Sequence, residues 1–371
     1  MAMEPEIEGA EFAQQKKKSR IGWTILFILF NLIIVGSTAY VEFSKERPDP
    51  LGIRFGWRNI ASFCLAIGAL AVVLAAETSK YLLMMHALGE KVSVKNAFQV
   101  AALGKYYDSL TPTGAGGQPF QIWFLHSRGY SGGASAAMPL AAFLGMQFAF
   151  ILLGLLAFIF KGSVIESPAI QVSARIGMLC YMIVPVLLVI FALNQKAAEK
   201  IIRFFVKVLA RIRIFKDPEQ KEAKIIEYFS NYRNNLISIT RKKYLPLWLL
   251  LISLVYQIAL CSIPYFVLHG YGGKTTYIDV LAMTVFIYAA ITIIPTPGNS
   301  GAAEGSFYLV FSALGASGLF WSMLIWRFLC YYSFIIIGLL IFSFNMLSNR
   351  RIIRRQHEEN LRLHQKEGDS I

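Results

Sequence analysis

Five polar or ionisable side chains, Lys105, Asp108, Gln118, Glu304 and Arg327, fall inside apolar stretches of this chain. A charge at the centre of a bilayer costs about 2.5–3.5 kcal/mol on insertion scales, so such residues face a cavity and find a partner. Lys105 and Asp108 are three apart and share one helix face. Two readings follow for them: mutual neutralisation, or exposure to a cavity. Glu304 and Arg327 also have two readings, an ion pair with each other or contact with a lipid headgroup. Glu77 and Lys80, three apart near the end of an apolar block, read most simply as an ion pair at the membrane interface.

Two short segments beside these residues break the rules of a membrane span. The first is Leu110-Thr111-Pro112-Thr113-Gly114-Ala115-Gly116-Gly117-Gln118-Pro119, and the second is Ile294-Pro295-Thr296-Pro297-Gly298-Asn299-Ser300-Gly301-Ala302-Ala303-Glu304-Gly305. Each has a Pro-Thr pair, then glycines, then a polar side chain, and one lies in each half of the chain. Non-helical backbone at membrane depth survives only under protein cover or beside a watery cavity. Paired interruptions in two halves point to a transporter site. Gly114, Gly116, Gly117, Gly298 and Gly301 permit tight turns and close approach of a ligand. A half-helix that starts at such a break offers free N–H groups and a positive dipole end to an anion. Thr111, Thr113, Thr296 and Ser300 are placed to cap those ends, with Gln118 and Asn299 as further polar lining. The competing reading is that both segments are only tight turns that pack helices together.

The elements that must position these residues are helices. The chain is 56% hydrophobic and only 16% charged, with mean hydropathy +0.53, whereas a soluble protein has about a quarter of its residues charged. Apolar blocks of about 20 residues read as spans. They run from Ile21 to Val41, Asn59 to Leu83, Ala134 to Phe160, Ile176 to Leu193, Tyr244 to Leu268 and Gly318 to Met346. Ala97 to Leu125 and Asp279 to Gly315 each hold two short apolar arms around a Pro/Gly break, the pattern of a re-entrant hairpin. The expected fold is an all-α integral membrane protein with about six full spans plus two broken-helix hairpins, arranged as an inverted repeat. Residues 1–20 read as a polar tail, 21–346 as the membrane domain and 347–371 as a basic tail.

The net charge of +14 gathers beside the apolar blocks, so it reads as topology and anionic-lipid contact, and nucleic acid is not expected as a partner. Segment 194–243 is rich in Lys and Arg, with Ile201, Phe204, Phe205, Val208 and Ile212 at helical spacing. That describes an amphipathic helix on a membrane surface, or else a solvated linker. The positive-inside rule places this segment and both termini in the cytoplasm. The loop 42–58, which carries Lys and Arg yet falls outside in this scheme, fits it least well. Cys64, Cys180, Cys261 and Cys330 lie in separate blocks without metal-ligand spacing. No nucleotide loop, dinucleotide fingerprint or nucleophile elbow is present, and neither a cofactor nor a metal is expected.

The string from Gly104-Lys105-Tyr106-Tyr107-Asp108 through Pro119 resembles the first signature of the lysylphosphatidylglycerol synthase transmembrane region, the flippase-like domain family. Pro295 to Glu304 resembles its second, and Glu77 with Lys80 resembles the acidic-basic pair near the end of its second span. The resemblance covers about residues 20–345. It implies the membrane half that moves aminoacylated phosphatidylglycerol across the bilayer. The soluble domain that transfers lysine from lysyl-tRNA is not expected in this chain.

The expected function is therefore translocation of an anionic or aminoacylated phospholipid, or a related lipid-linked headgroup, between leaflets of a bacterial inner membrane. The expected substrate-binding set is Lys105, Asp108, Thr111, Thr113, Gly114, Gly116, Gly117, Gln118, Thr296, Gly298, Asn299, Gly301, Glu304 and Arg327, with no catalytic residue. The partners are a membrane phospholipid and the membrane surface, with room for a homo-oligomer. The alternatives are a phosphatidylglycerol lysyltransferase, acting alone or with a partner catalytic domain, and a non-transporting scaffold.

Overall fold

A computed structural model describes residues 56–111, 114, 116–162, 168–193, 244–292, 294, 296, 298–314 and 318–345, with isolated positions between 199 and 242. The expected first span, both tails and nearly all of the basic segment 194–243 lie outside the described residues, as do Pro112, Thr113, Ala115, Pro295 and Pro297.

Nine helices follow in order among the described residues: α1 (Trp57–Ala87), α2 (Val94–Leu110), α3 (Gly117–Ser127), α4 (Gly132–Lys161), α5 (Pro168–Leu193), α6 (Leu245–Gly270), α7 (Tyr277–Ile291), α8 (Ala302–Ala313) and α9 (Leu319–Arg327). A π-helical turn, Phe328–Tyr332, carries α9 onward, so the apolar helix runs Leu319–Asn345. Helices α1, α4, α6 and Leu319–Asn345 are long and apolar enough to cross a membrane. Helix α5 covers the span expected at 176–193 and begins earlier, at Pro168. Large apolar side chains such as Leu65, Phe148, Ile159, Leu251 and Leu340 stand exposed on these helices, as a lipid-facing surface requires.

Helix α1 packs most extensively against α6, and α6 also packs on α4 and α7. One apolar cluster joins α1, α4, α6, α7, α8 and α9 through residues including Val73, Ile263, Phe286, Phe307 and Trp326. A second, around Met84, Val100, Leu125 and Met138, seats α2 and α3 against α1 and α4. Each broken unit folds back on itself: α2 packs against α3, and α7 against α8. Both arms of each unit, 17 and 11 residues then 15 and 12, fall short of the roughly 20 needed to cross.

Glu77 and Lys80 form the expected ion pair, at 2.8 Å, and protein covers it. Glu77 is 5% exposed and Lys80 0%, because α6 covers that face of α1. The Lys80 ammonium lies 5.4 Å from the ring centroid of Tyr256 on α6, so the pair belongs to the protein interior.

Candidate functional site

The first break is shaped by its own side chains. Thr111 ends α2 in extended backbone; its hydroxyl donates to the Tyr107 carbonyl at 2.9 Å and accepts the Gly116 N–H at 2.9 Å. Asp108 Oδ1 accepts the Gly117 N–H at 2.9 Å. A carboxylate therefore occupies the start of α3, where the dipole favours negative charge. Gly117 must be glycine, since a Cβ there would stand 2.4 Å from Asp108 Oδ1 and 2.6 Å from the Gly104 carbonyl. Gly114 turns with φ +65°, a region that only glycine enters freely.

The second break uses the same device and adds a cation. Glu304 Oε2 accepts the Gly301 N–H at 2.7 Å, the carboxylate half of a capping box at the start of α8. Glu304 Oε1 accepts Arg327 Nε at 2.6 Å. The same guanidinium donates to the Gly298 carbonyl through both terminal nitrogens, each at 3.2 Å, and to Ser300 Oγ at 3.2 Å. Three residues here have positive φ: Gly298, Asn299 and Gly301. Arg327 thus satisfies carbonyl and carboxylate groups that a broken helix leaves without partners. Of the two readings for Glu304 and Arg327, the structure has the ion pair, and both residues are buried.

Tyr331, in the π-helical turn, ties the breaks together. Its hydroxyl donates to the Ser109 carbonyl at the end of α2, at 3.1 Å. Its ring fills the space over Gly298, where a Cβ would come within 2.0 Å of it, and faces the Arg327 guanidinium at 4.8 Å. Single π turns inside α-helices recur at functional sites; this one rotates Tyr331 to a position that reaches both segments.

Between the breaks lies a cavity of 820 Å³. Of the expected binding residues it is lined by Lys105, Asp108, Gly114, Gln118, Gly298, Asn299 and Arg327. Thr111, Gly116, Gly117, Thr296, Gly301 and Glu304 are not in its lining; they shape the turns behind it. Thr296, for example, donates its hydroxyl to the Ser300 carbonyl at 3.1 Å. Thr113 lies outside the described residues. Lys105 and Asp108, which share a helix face, do not form an ion pair: among the described residues the bridges run Lys80–Glu77, Lys161–Asp279, Arg203–Glu199 and Arg327–Glu304. The Lys105 ammonium instead stands 5.0 Å from the Tyr256 ring centroid and 3.9 Å from Met146 Sδ. It is a cation at a cavity wall that makes no salt bridge among the described residues, with Glu77 and Asp108 as its nearby carboxylates.

Several lining residues were not singled out from the sequence. Tyr181, Tyr256, Tyr288, Trp326 and Tyr331 give the cavity aromatic walls, and Gln147 adds an amide from α4. Gln147 had a legible signal, an amide inside an apolar span. The tyrosines had none, because an aromatic residue in a span is ordinary core material. No group of His, Cys, Asp and Glu suited to a metal occurs among the described residues.

Spanning-length helices around a cavity with charged and amide side chains in its wall, with two broken hairpins meeting at it, define a multi-pass membrane protein. The family model described as "Lysylphosphatidylglycerol synthase TM region" matches residues 49–338, and the chain belongs to that family. It is also similar to a protein described as "UPF0104 membrane protein" from Archaeoglobus fulgidus, at 22% identity over 274 residues, which cover 72% of this chain and 81% of that protein.

Proposed function

We propose that this chain binds the phosphate-bearing headgroup of an anionic or aminoacylated phospholipid in the cavity between its two broken helices and moves it between leaflets. The observation that carries this reading is the position of Lys105. It is a cation without a salt bridge among the described residues, on the wall of a cavity bounded by both breaks. A phosphate oxygen is the natural partner for such an ammonium in a site of lowered dielectric. Asp108 on the same wall suits an ammonium carried by an aminoacylated headgroup. Acyl chains stay in the bilayer, beside the apolar outer surface of the spans. In this reading the membrane is a bacterial inner membrane, with both termini cytoplasmic.

Reconstitution tests it. Purified full-length chain goes into liposomes carrying fluorescent phosphatidylglycerol, lysyl-phosphatidylglycerol or phosphatidylcholine. Leaflet exchange is followed by dithionite quenching. Exchange of one of the first two well above protein-free liposomes supports the reading. Folded protein that moves none of the three overturns it.

A further inference from the structure

We infer that the site couples headgroup movement to protons: Asp108 takes up one proton with each anionic headgroup, and a headgroup that brings its own ammonium moves without one. The inference rests on the headgroup reading above and adds what drives the movement.

Charge balance carries it. Among the described residues, the charged side chains in the cavity lining are Lys105, Asp108 and Arg327. Arg327 is neutralised by Glu304 at 2.6 Å. Behind the wall, Lys80 is neutralised by Glu77 at 2.8 Å. Lys105 and Asp108 remain, one cation against one anion, so these side chains sum to zero. A phosphodiester on Lys105 adds one negative charge and nothing to offset it. An uncompensated charge at membrane depth is costly, and two anions that share one site do not both stay ionised. A phosphodiester is too weak a base to hold a proton at neutral pH, so a carboxylate must take it.

Asp108 is the carboxylate placed to do so. Glu77 and Glu304 are buried against their cations, whereas Asp108 lines the cavity. Its Oδ1 accepts the Gly117 N–H, which leaves Oδ2 for the proton. Lys105 is the charged group beside it on α2. Helix α2 packs against α1 and α3. From α1, Asp108 meets Glu77, already held by Lys80, and the phenol of Tyr81. The one titratable side chain of α3, His126, is exposed in its last turn. The phenol of Tyr256 faces Asp108 from α6. Phenols bring no charge at neutral pH, so the balance stands.

The step is a plain proton transfer. Water on the entry side gives a proton to Asp108 Oδ2 as the phosphodiester settles on Lys105, and an O–H bond forms. On the far side the headgroup leaves, that bond breaks and the proton returns to water. One anion and one proton cross together, so a proton gradient drives net movement. An ethanolamine or aminoacylated headgroup carries an ammonium, which takes Asp108 as its counter-ion in the proton's place.

The test counts protons. Full-length chain in detergent is titrated in a calorimeter with dihexanoyl phosphatidylglycerol and dihexanoyl phosphatidylethanolamine at neutral pH. Each titration is run in two buffers of different ionisation enthalpy, and the difference in heat gives the protons taken up per lipid bound. Wild type should take up about one proton with phosphatidylglycerol and none with phosphatidylethanolamine. Asp108→Asn, which keeps an oxygen for the Gly117 N–H, should bind phosphatidylglycerol with no proton uptake. Should that variant fold poorly, Asp108→Ala carries the comparison. Wild-type binding of phosphatidylglycerol without proton uptake, equal uptake with both lipids, or unchanged uptake by the Asp108 variant would overturn the inference and leave the headgroup reading standing. A wild-type chain that binds neither lipid overturns both.

Discussion

The two broken helices solve one structural problem with the same carboxylate device and differ in what they do with a cation. At each break an acidic side chain accepts an N–H at the start of the following half-helix, Asp108 from Gly117 and Glu304 from Gly301. At the second break the cation, Arg327, is fully engaged by Glu304, the Gly298 carbonyl and Ser300. At the first break the cation, Lys105, makes no ion pair with its carboxylate and stands between Tyr256 and Met146 at the cavity wall. The second break is a fixed frame, and the first keeps its charge available. A planar guanidinium suits the framing role because its fork can hold several acceptors at once. A single ammonium on a flexible stem suits the exchangeable one.

Substitutions at the two breaks should therefore separate stability from ligand handling. The largest loss of stability is expected for Arg327→Met or Glu304→Gln. Each leaves a buried partner uncompensated, at a cost of about 3–5 kcal/mol, read by denaturant unfolding in detergent. A wild-type midpoint for either would break the framing half of the comparison. Gly298→Ala comes next, at about 2–3 kcal/mol, because it combines a positive φ with a Cβ driven into the Tyr331 ring. Its companion, Tyr331→Phe, serves as a control that keeps the ring. Asp108→Ala removes the carboxylate at the start of α3 and should cost about 1 kcal/mol, with faster hydrogen exchange confined to α3. Tyr331→Phe itself loses one hydrogen bond, to Ser109, at about 0.5–1.5 kcal/mol. Its signature is looser coupling of the breaks, seen as faster exchange at the end of α2. Lys105→Gln should cost less than any of these, about 0.5 kcal/mol, because its ammonium makes no salt bridge among the described residues and acts on Glu77 and Asp108 only at a distance.

Much of this frame was legible in the residues themselves. Proline and glycine inside apolar blocks marked both breaks, and block length set α1, α4, α6 and Leu319–Asn345 apart from the short arms. The carboxylate-to-backbone bonds were less legible, because Asp108 sits on the arm before its break and Glu304 on the arm after. The same job is done from opposite sides in sequence. Helical spacing put Lys105 and Asp108 on one face but could not fix rotamers. Asp108 turns to the Gly117 N–H while Lys105 turns to the cavity. Whether Arg327 met Glu304 stayed open because the partners are 23 residues apart, on separate helices that only tertiary packing brings together. The pairing of Glu77 with Lys80 was legible from their spacing; its burial was not, because it comes from α6, whose docking on that face leaves no trace in the α1 sequence. Gln147 carried a signal, and Tyr331 did not, since nothing in Cys330-Tyr331-Tyr332-Ser333 announces a π turn.

The most direct test of the comparison is lipid exchange by Lys105→Gln in proteoliposomes, with melting temperature measured on the same preparation. The account predicts a wild-type melting temperature together with loss of at least about tenfold in the exchange rate of the lipid that wild type moves. Wild-type exchange by a well-folded Lys105→Gln would contradict it, because the charge left open at the first break would then have no part in handling the headgroup.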